Sequence, residues 1–453
     1  MRRKRYSEYK ESGVEWLGEI PQDWAAIKLK YLTTKIGSGK TPKGGAKVYI
    51  ESGIPFLRSQ NIHFDGLRTE DIVYIDSAID LEMHTTRVLP QDVLLNITGA
   101  SLGRSSITPA GFGPANVNQH VCIIRPSNNQ VNPRFLWRAI CSANVQCQIF
   151  SNETGSSREG LNFQQVGDLV TSLPRELNEQ RAIADFLDRE TSRIDALIEK
   201  KNRQIELLEE KRAALISRAV TKGLNPDAKM KDTGVVWLGE IPENWVMIRL
   251  KYLSVLQTGL TLGKKYNDKD LATRPYLRVA NVQDGFLNLD TITEVNLPSE
   301  DAPRYELQPG DVLMTEGGDF DKLGRGFIWS GQIPGCLHQN HIFSVRPKIN
   351  LLKPHFLAGV LTSDHGKHYF TSTSQQTTNL ASTNSYKIIN FPVPLPPLPE
   401  QQNIIHLVRK IAERHQSILS LIQNSIATLQ EYRSALITAS VTGQIDIRNE
   451  SNV

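Results

Sequence analysis

Between residues 181 and 222 the chain has no proline and no glycine. Its apolar positions Ile183, Leu187, Ile194, Leu197, Leu208 and Leu215 fall at intervals built from threes and fours, and Glu, Lys and Arg fill the other faces. That pattern predicts one long helix, a rod of roughly 60 Å at about 1.5 Å per residue, whose apolar stripe requires a partner. A second rod is predicted at 401–441, where Ile404, Val408, Ile411, His415, Ile418, Ile422, Ser425, Leu429, Tyr432 and Leu436 alternate gaps of four and three. This is the 3.5-residue repeat of a coiled-coil seam, so the two rods are expected to pack against each other. Shorter runs of Val, Ile and Leu at 92–98, 120–125, 311–315 and 341–346, bounded by Gly, Pro and Asn, predict strands. Asn132 before Pro133 has the form of an N-cap followed by a first-turn proline, which predicts a helix over 133–142. The proline run FPVPLPPLP at 391–399 predicts a stiff extended approach to the second rod, and SLPRELNEQ at 172–180 a less rigid one to the first.

The chain is written twice. GVEWLGEIPQDWAAIKLKYL at 13–32 returns as GVVWLGEIPENWVMIRLKYL at 234–253, and Trp16 and Trp237 stand 221 residues apart. The register continues through FLRSQNI and YLRVANV (56–62, 276–282), QDVLLNITG and GDVLMTEGG (91–99, 310–318), LGRSSI and LGRGFI (102–107, 323–328), and NQHVCIIRP and QNHIFSVRP (118–126, 339–347). NEQRAIADFL and PEQQNIIHLV (178–187, 399–408) carry it into the rods. A period this long exceeds any solenoid repeat and implies two whole domains, most simply related by a pseudo-twofold axis. The expected order is a globular domain at 1–175, a helical spacer at 176–224, a second globular domain at 225–398, a distal spacer at 399–445 and a tail at 446–453, each globular domain mixing helix and strand.

Composition narrows this picture without redirecting it. With 39% hydrophobic and 22% charged residues among 453, disorder and fibrous structure are excluded. No run of eighteen apolar residues exists, and the basic residues Arg2 to Arg5 lead into a polar segment, so neither a membrane span nor a secretory signal is expected and the cytoplasm is the expected compartment. Four cysteines without CxxC spacing fit a reducing environment. A formal charge of +4 permits a nucleic-acid partner without requiring one.

Within a duplicated chain, shared positions point to scaffold and divergent positions to tailoring. Trp16, Trp24, Trp237 and Trp245 are shared and are read as core or seam anchors. Gly103 and Gly324 suit a tight turn, and Arg104 and Arg325 after it suit either a phosphate or a buried carboxylate. His120 and His341, beside Asn118, Gln119, Gln339 and Asn340, suit base or backbone contacts or a structural role. The loops at 37–47 and 258–270, and at 151–160 and 371–379, diverge and combine cations with amides and hydroxyls, the mixture used for DNA readout. Lys40, Thr41, Lys43, Lys47, Arg58, Arg158, Lys264, Lys265, Arg278, Gln375 and Gln376 join the two arginines, two histidines and two asparagines as candidate DNA contacts.

Other chemistry is rejected on spacing. GSGKT at 37–41 lacks the first glycine of a phosphate-binding loop, because residue 34 is Thr34. NPRF at 132–135 departs at Arg134 from the NPP[YF] of amino-methyltransferases. His338 with His341, and His365 with His368, have no companions at ligand spacing, and no catalytic constellation stands out. A self-contained DNA methyltransferase or nuclease and a protein-only scaffold remain as alternatives, which cofactor binding by the isolated chain and duplex binding by a reconstituted assembly would separate.

The repeated SGVEWLGEIPQDW and TGVVWLGEIPENW openings, the GKTP loop at 39–42 and the LNEQ and LPEQQ leads into long helices resemble the specificity subunit of a type I restriction-modification enzyme. The resemblance spans essentially the whole chain. It implies an α+β architecture in which two mixed target-recognition domains, at about 12–175 and 233–395, are separated by two long helices packed as an antiparallel coiled coil. It further implies that each domain reads one half of a split asymmetric sequence in double-stranded DNA. Two modification subunits that bind S-adenosylmethionine would dock on the helices, and restriction subunits that use ATP and Mg would join them. This chain would carry no cofactor, metal or catalytic residue and would not meet a membrane. The second half has TLGK at 261–264 in place of GKTP, so contacts implied by that loop apply to 37–47 alone.

Overall fold

The short apolar runs form strands whose alternate residues enter two different cores. The computed structural model describes residues 4–151, 160–263, 270–282, 286–318, 326–376 and 381–448. They fall into two units, Met1–Lys201 with Gln423–Val453 and Asn202–Ile422. In unit 1 an antiparallel sheet runs in the order Ser105–Ile107, Val93–Asn96, Val121–Pro126, Thr33–Ser38. Val93, Leu95, Cys122 and Ile124 enter the main core with the helix Pro133–Ile140, while Leu94, Val121 and Ile123 enter a second core beneath the sheet Val73–Ile75, Ile54–Leu57, Ala115–Val117, Arg87–Val88. A strand covered on both faces needs an unbroken apolar run, which is why these segments lack polar alternation. Unit 2 repeats the device: Val312, Met314, Phe343 and Val345 face one core, and Leu313 and Ile342 another. Its antiparallel sheet has the order Ser254–Thr258, Ile342–Pro347, Val312–Thr315, Gly326–Ile328. The four expected strands therefore form, at Val93–Asn96, Val121–Pro126, Val312–Thr315 and Ile342–Pro347.

One buried ion pair locks each sheet. Arg125 grips Asp92, which is 1% exposed, through Nε–Oδ1 and Nη2–Oδ2 bonds of 2.8 Å each. Arg346 grips Asp311 in the same way at 2.7 Å. Each carboxylate also accepts a backbone N–H, from Leu89 at 2.7 Å and from Gln308 at 2.8 Å, so the desolvated charge is fully coordinated.

The proline-rich approaches are extended but are not free spacers. Val170–Pro174 pairs antiparallel with Trp24–Lys28, and Pro392–Leu395 with Val246–Arg249, so the chain leaving each globular part is zipped to the chain entering it. A two-stranded ribbon tolerates prolines because an edge needs only alternate N–H donors. Immediately beyond, Gln180 accepts from the Asn132 N–H at 2.7 Å and donates to the Pro174 carbonyl at 2.9 Å. Gln401 does the same to Lys353 and Pro396, at 2.9 and 3.0 Å. These two fully buried amides give the shared LNEQ and LPEQQ leads their physical meaning.

The first long helix, Leu177–Lys222, has 46 residues and the second, Leu398–Val441, has 44. In unit 1, Ile183, Leu187 and Ile194 share a core with Leu436, Ile437 and Val441, and Arg433 Nε binds Asp195 at 2.9 Å. In unit 2, Val220 shares a core with Ile404, and His415 lies 3.6 Å from Glu209. Rising numbers on one helix meet falling numbers on the other, so the pairing is antiparallel. The predicted stripes need correction at three places. Leu197 and Leu215 are exposed, and their neighbours Ile198 and Ile216 turn inward. The inward-facing run is Ile194, Ile198, Lys201, Ile205, Leu208, Arg212, Ile216, at gaps of three and four that Leu197 or Leu215 would satisfy equally well. Tyr432, 48% exposed, yields its seam position to Arg433, whose pairing with Asp195 draws it inward. Of the four tryptophans shared by the two halves, Trp24 and Trp245 are core residues, whereas Trp16 and Trp237 remain more than 40% exposed.

Candidate nucleic-acid interface

In unit 1 the candidate side chains gather where the strand Thr33–Ser38 ends and the loop 37–47 begins. Gly39 makes this approach possible. A Cβ on it would lie 1.6 Å from the Val117 carbonyl oxygen, the same atom that accepts the Lys40 N–H at 3.2 Å. Gly259 occupies the corresponding point in unit 2, with its hypothetical Cβ 2.2 Å from the His338 carbonyl oxygen. From this anchor the loop turns outward, leaving Lys40, Thr41, Lys43 and Lys47 exposed.

A chain of hydrogen bonds ties the loop to the turn opposite. Thr41 Oγ1 donates to Gln119 Oε1, the Gln119 amide donates to His120 Nε2 at 3.0 Å, and His120 Nδ1 shares a 2.6 Å bond with Thr98 Oγ1. Asn118 Oδ1 accepts the His120 N–H at 3.2 Å, shaping the corner that presents the ring. Both ring nitrogens are thus engaged. The Thr98 backbone also bridges to Gly160, which brings the end of the 151–160 loop alongside.

Beside this relay opens a cleft of about 400 Å³, whose lining includes Ser59, Gln60, Thr98, Ser101, Arg104 and His120. Arg58, one residue away, is committed elsewhere: Nη2 donates to the Asp71 carbonyl at 2.8 Å, and its backbone N–H is capped by Asn61 Oδ1 at 2.8 Å. Arg278 has the same backbone cap, from Asn281 at 2.8 Å.

Unit 2 builds the same corner from other groups. The Glu316 N–H binds the His341 carbonyl at 2.9 Å, as the Ile97 N–H binds that of His120 at 3.0 Å. His341 Nδ1, however, meets the Glu316 carboxylate where His120 meets a threonine hydroxyl. Gln375–Gln376 and Ala381–Ser382 form a small sheet with Gly317–Gly318, so the divergent 371–379 loop is led to the turn that carries Glu316. The Asn340 N–H binds the Leu260 carbonyl at 3.1 Å. Arg158, Lys264, Lys265 and Arg325 lie outside the described residues, as do the side chains of Gln375 and Gln376. Among the described residues no group of three or more His, Cys, Asp and Glu is arranged to hold a metal ion.

Ser59, Gln60 and Thr98 are absent from the sequence-based candidates. Their signal was present in the repeat: within FLRSQNI and YLRVANV the framework residues Arg58 and Asn61 recur as Arg278 and Asn281, whereas Ser59–Gln60 becomes Val279–Ala280.

Residues 21–207 and 242–427 match a family model described as type I restriction modification DNA specificity domain. The chain belongs to this family. The specificity subunit of the EcoKI type I restriction enzyme from Escherichia coli K12 is 20% identical over 439 residues, covering 94% of this chain and 90% of that protein. A putative MjaX specificity subunit from Methanocaldococcus jannaschii is 27% identical over 202 residues, 44% of this chain and 46% of that one. Among solved structures, the HsdS subunit from Thermoanaerobacter tengcongensis aligns with a TM-score of 0.52 at 16% identity, covering 94% of this chain and 98% of that one. A chain from a study of assembly and conformational transition of the type I R-M system aligns at 0.66 and 17% identity, covering 94% and 99%. The chain is therefore a DNA specificity subunit, the non-catalytic recognition component of a type I system, and no helix among its described residues is long and apolar enough to cross a membrane.

Proposed function

We propose that each unit of this specificity subunit reads one half of a split, asymmetric duplex sequence. Unit 1 uses the loop 37–47, the cleft residues at 59–60 and 98–104, and the corner 118–120; unit 2 uses the corresponding corner at 339–341 and the segment at 375–376. The observation that carries this reading is one frame holding different chemistry: the same backbone bonds position His120 and His341, one ring against a hydroxyl and the other against a carboxylate. Two readers of a single repeated sequence would have no need to differ there. Cations on the loops supply sequence-independent affinity, and each good base contact supplies roughly 1–3 kcal/mol of discrimination.

The two helices serve as spacer and platform. Two modification subunits carrying S-adenosylmethionine dock on them, and restriction subunits using ATP and Mg complete the assembly in the cytoplasm. Leu197 in unit 1, and Leu207, Leu215, Leu407 and Leu421 in unit 2, are exposed helix residues that suit such docking. The test is mapping of methylated bases in DNA from cells that carry the chain, before and after residues 12–175 are exchanged for those of another family member. One half of the recognised sequence should change. A change in both halves would refute the two-reader assignment.

A further inference from the structure

We propose that the cleft at Ser59, Gln60, Thr98, Ser101, Arg104 and His120 seats one phosphate of the DNA backbone, with Arg104 as its sequence-independent anchor, an inference that rests on the DNA-reading function above. The lining contains no carboxylate among the described residues, and Arg104 is its one permanent charge. Other arginines of unit 1 are already spent: Arg87 on Asp80, Arg125 on Asp92, Arg134 and Arg138 on Asp188, and Arg58 on a carbonyl. Arg104 is half-buried, and its guanidinium has no hydrogen-bond partner among the described residues. Of the two roles its position in the sequence allows, a buried carboxylate is therefore not the one realised there.

The side chain follows a turn that is held by glycine and by one side-chain bond. Gly103 has a φ of +83°, and a Cβ on it would lie 2.5 Å from Gln146 Oε1. Gln146 Nε2 in turn donates to the Gly103 carbonyl at 3.0 Å, which fixes the turn to the helix Ala143–Ser151. Hydroxyls of Ser59, Thr98 and Ser101 complete a donor-rich wall. His120, with both nitrogens engaged, forms part of that wall.

Internal duplication separates phosphate from base. LGR occurs in both halves, at 102–104 and 323–325, while the neighbouring Ser59–Gln60 becomes Val279–Ala280. An arginine directed at a base selects guanine through O6 and N7, so two readers of different sequences would not be expected to retain it. A phosphate is the same at every step of the duplex and carries no sequence information, so the same arginine serves both. The guanidinium fork also matches the paired oxygens of a phosphodiester.

The experiment uses the full assembly with its modification subunits, a duplex carrying the mapped methylation sequence, and a second duplex with the first half-site scrambled. Dissociation constants are measured across a range of KCl concentrations. Arg104→Gln should weaken binding to both duplexes by a similar factor, about ten- to a hundredfold, and make the log–log salt slope shallower by about 0.9. Arg104→Lys should restore the slope. Single methylphosphonate substitutions along the first half-site provide a readout that does not depend on a variant folding, and one position should weaken the wild-type assembly by the same factor. A changed base preference, an unchanged salt slope, or no sensitive phosphate in the first half-site would overturn the proposal. A wild-type assembly that fails to distinguish the two duplexes would overturn the DNA-reading function, and the phosphate assignment with it.

Discussion

Gly39→Ala is the most local perturbation of the first reader. The added Cβ would begin 1.6 Å from the Val117 oxygen, and contacts under 3.0 Å are not sustained, so loop and strand must separate by about 1.4 Å. That movement breaks the Lys40 N–H bond to the same oxygen, now 3.2 Å, and pulls Thr41 away from Gln119. Overpacking of this kind costs about 1–3 kcal/mol, and a misplacement of about 1 Å is enough to degrade a binding site. Gly37→Ala is the control, since a Cβ there has nothing within 4 Å and the site is two residues away. Calorimetric unfolding and methylation of the mapped duplex provide the assay. Gly39→Ala should lower the unfolding temperature and reduce methylation, while Gly37→Ala leaves both near wild type. The reasoning is refuted if the two variants behave alike, or if Gly39→Ala keeps full methylation.

Two further outcomes follow from buried charge. Asp92→Ala leaves the Arg125 guanidinium and the Leu89 N–H without their shared acceptor, and should cost about 3–5 kcal/mol, seen as a lower denaturant midpoint; a wild-type midpoint would show that the pair is dispensable. Burial holds His338 and His365 below the usual histidine range, with His365 Nε2 donating to the Pro392 carbonyl at 2.7 Å. Their folded-state pKa values lie below the unfolded one near 6.5, so the unfolded chain takes up more protons. Their stabilisation should be complete above about pH 6.5 and lost as pH falls toward the folded values. Unit 2 should therefore unfold at a lower temperature at pH 5.5 than at pH 7.5, and a pH-independent transition would contradict that assignment.

Much of the frame was legible because it depends on short-range rules. The Asn132–Pro133 start of a helix is local stereochemistry, and the structure shows Asn132 Oδ1 accepting from Arg134 and Phe135. The strands at 93–96 and 121–126 followed from unbroken apolar runs. What was not legible depended on a partner distant in sequence. Nothing in the period of the first rod distinguishes Leu197 from Ile198, because the choice is made by the facing helix. The prolines of 391–399 read as a stiff spacer because their pairing partner, Val246–Arg249, lies about 145 residues earlier.

The candidate site divides along the same line. Cations on exposed loops could be picked out by type, and Lys40, Lys43 and Lys47 are indeed accessible. Type alone did not reveal that Arg58 is tied to the Asp71 carbonyl while Arg104 has no partner among the described residues, although both are arginines in repeated motifs. Repetition shows that a residue is needed in both halves but not whether its partner lies inside the protein. Structure supplies that second condition. A twice-written side chain with its hydrogen bonds satisfied is framework, as Asp92, Gln180 and Arg125 are. A twice-written side chain with none is positioned for something both halves meet, and in a pair of DNA readers with different targets that common partner is the phosphate backbone.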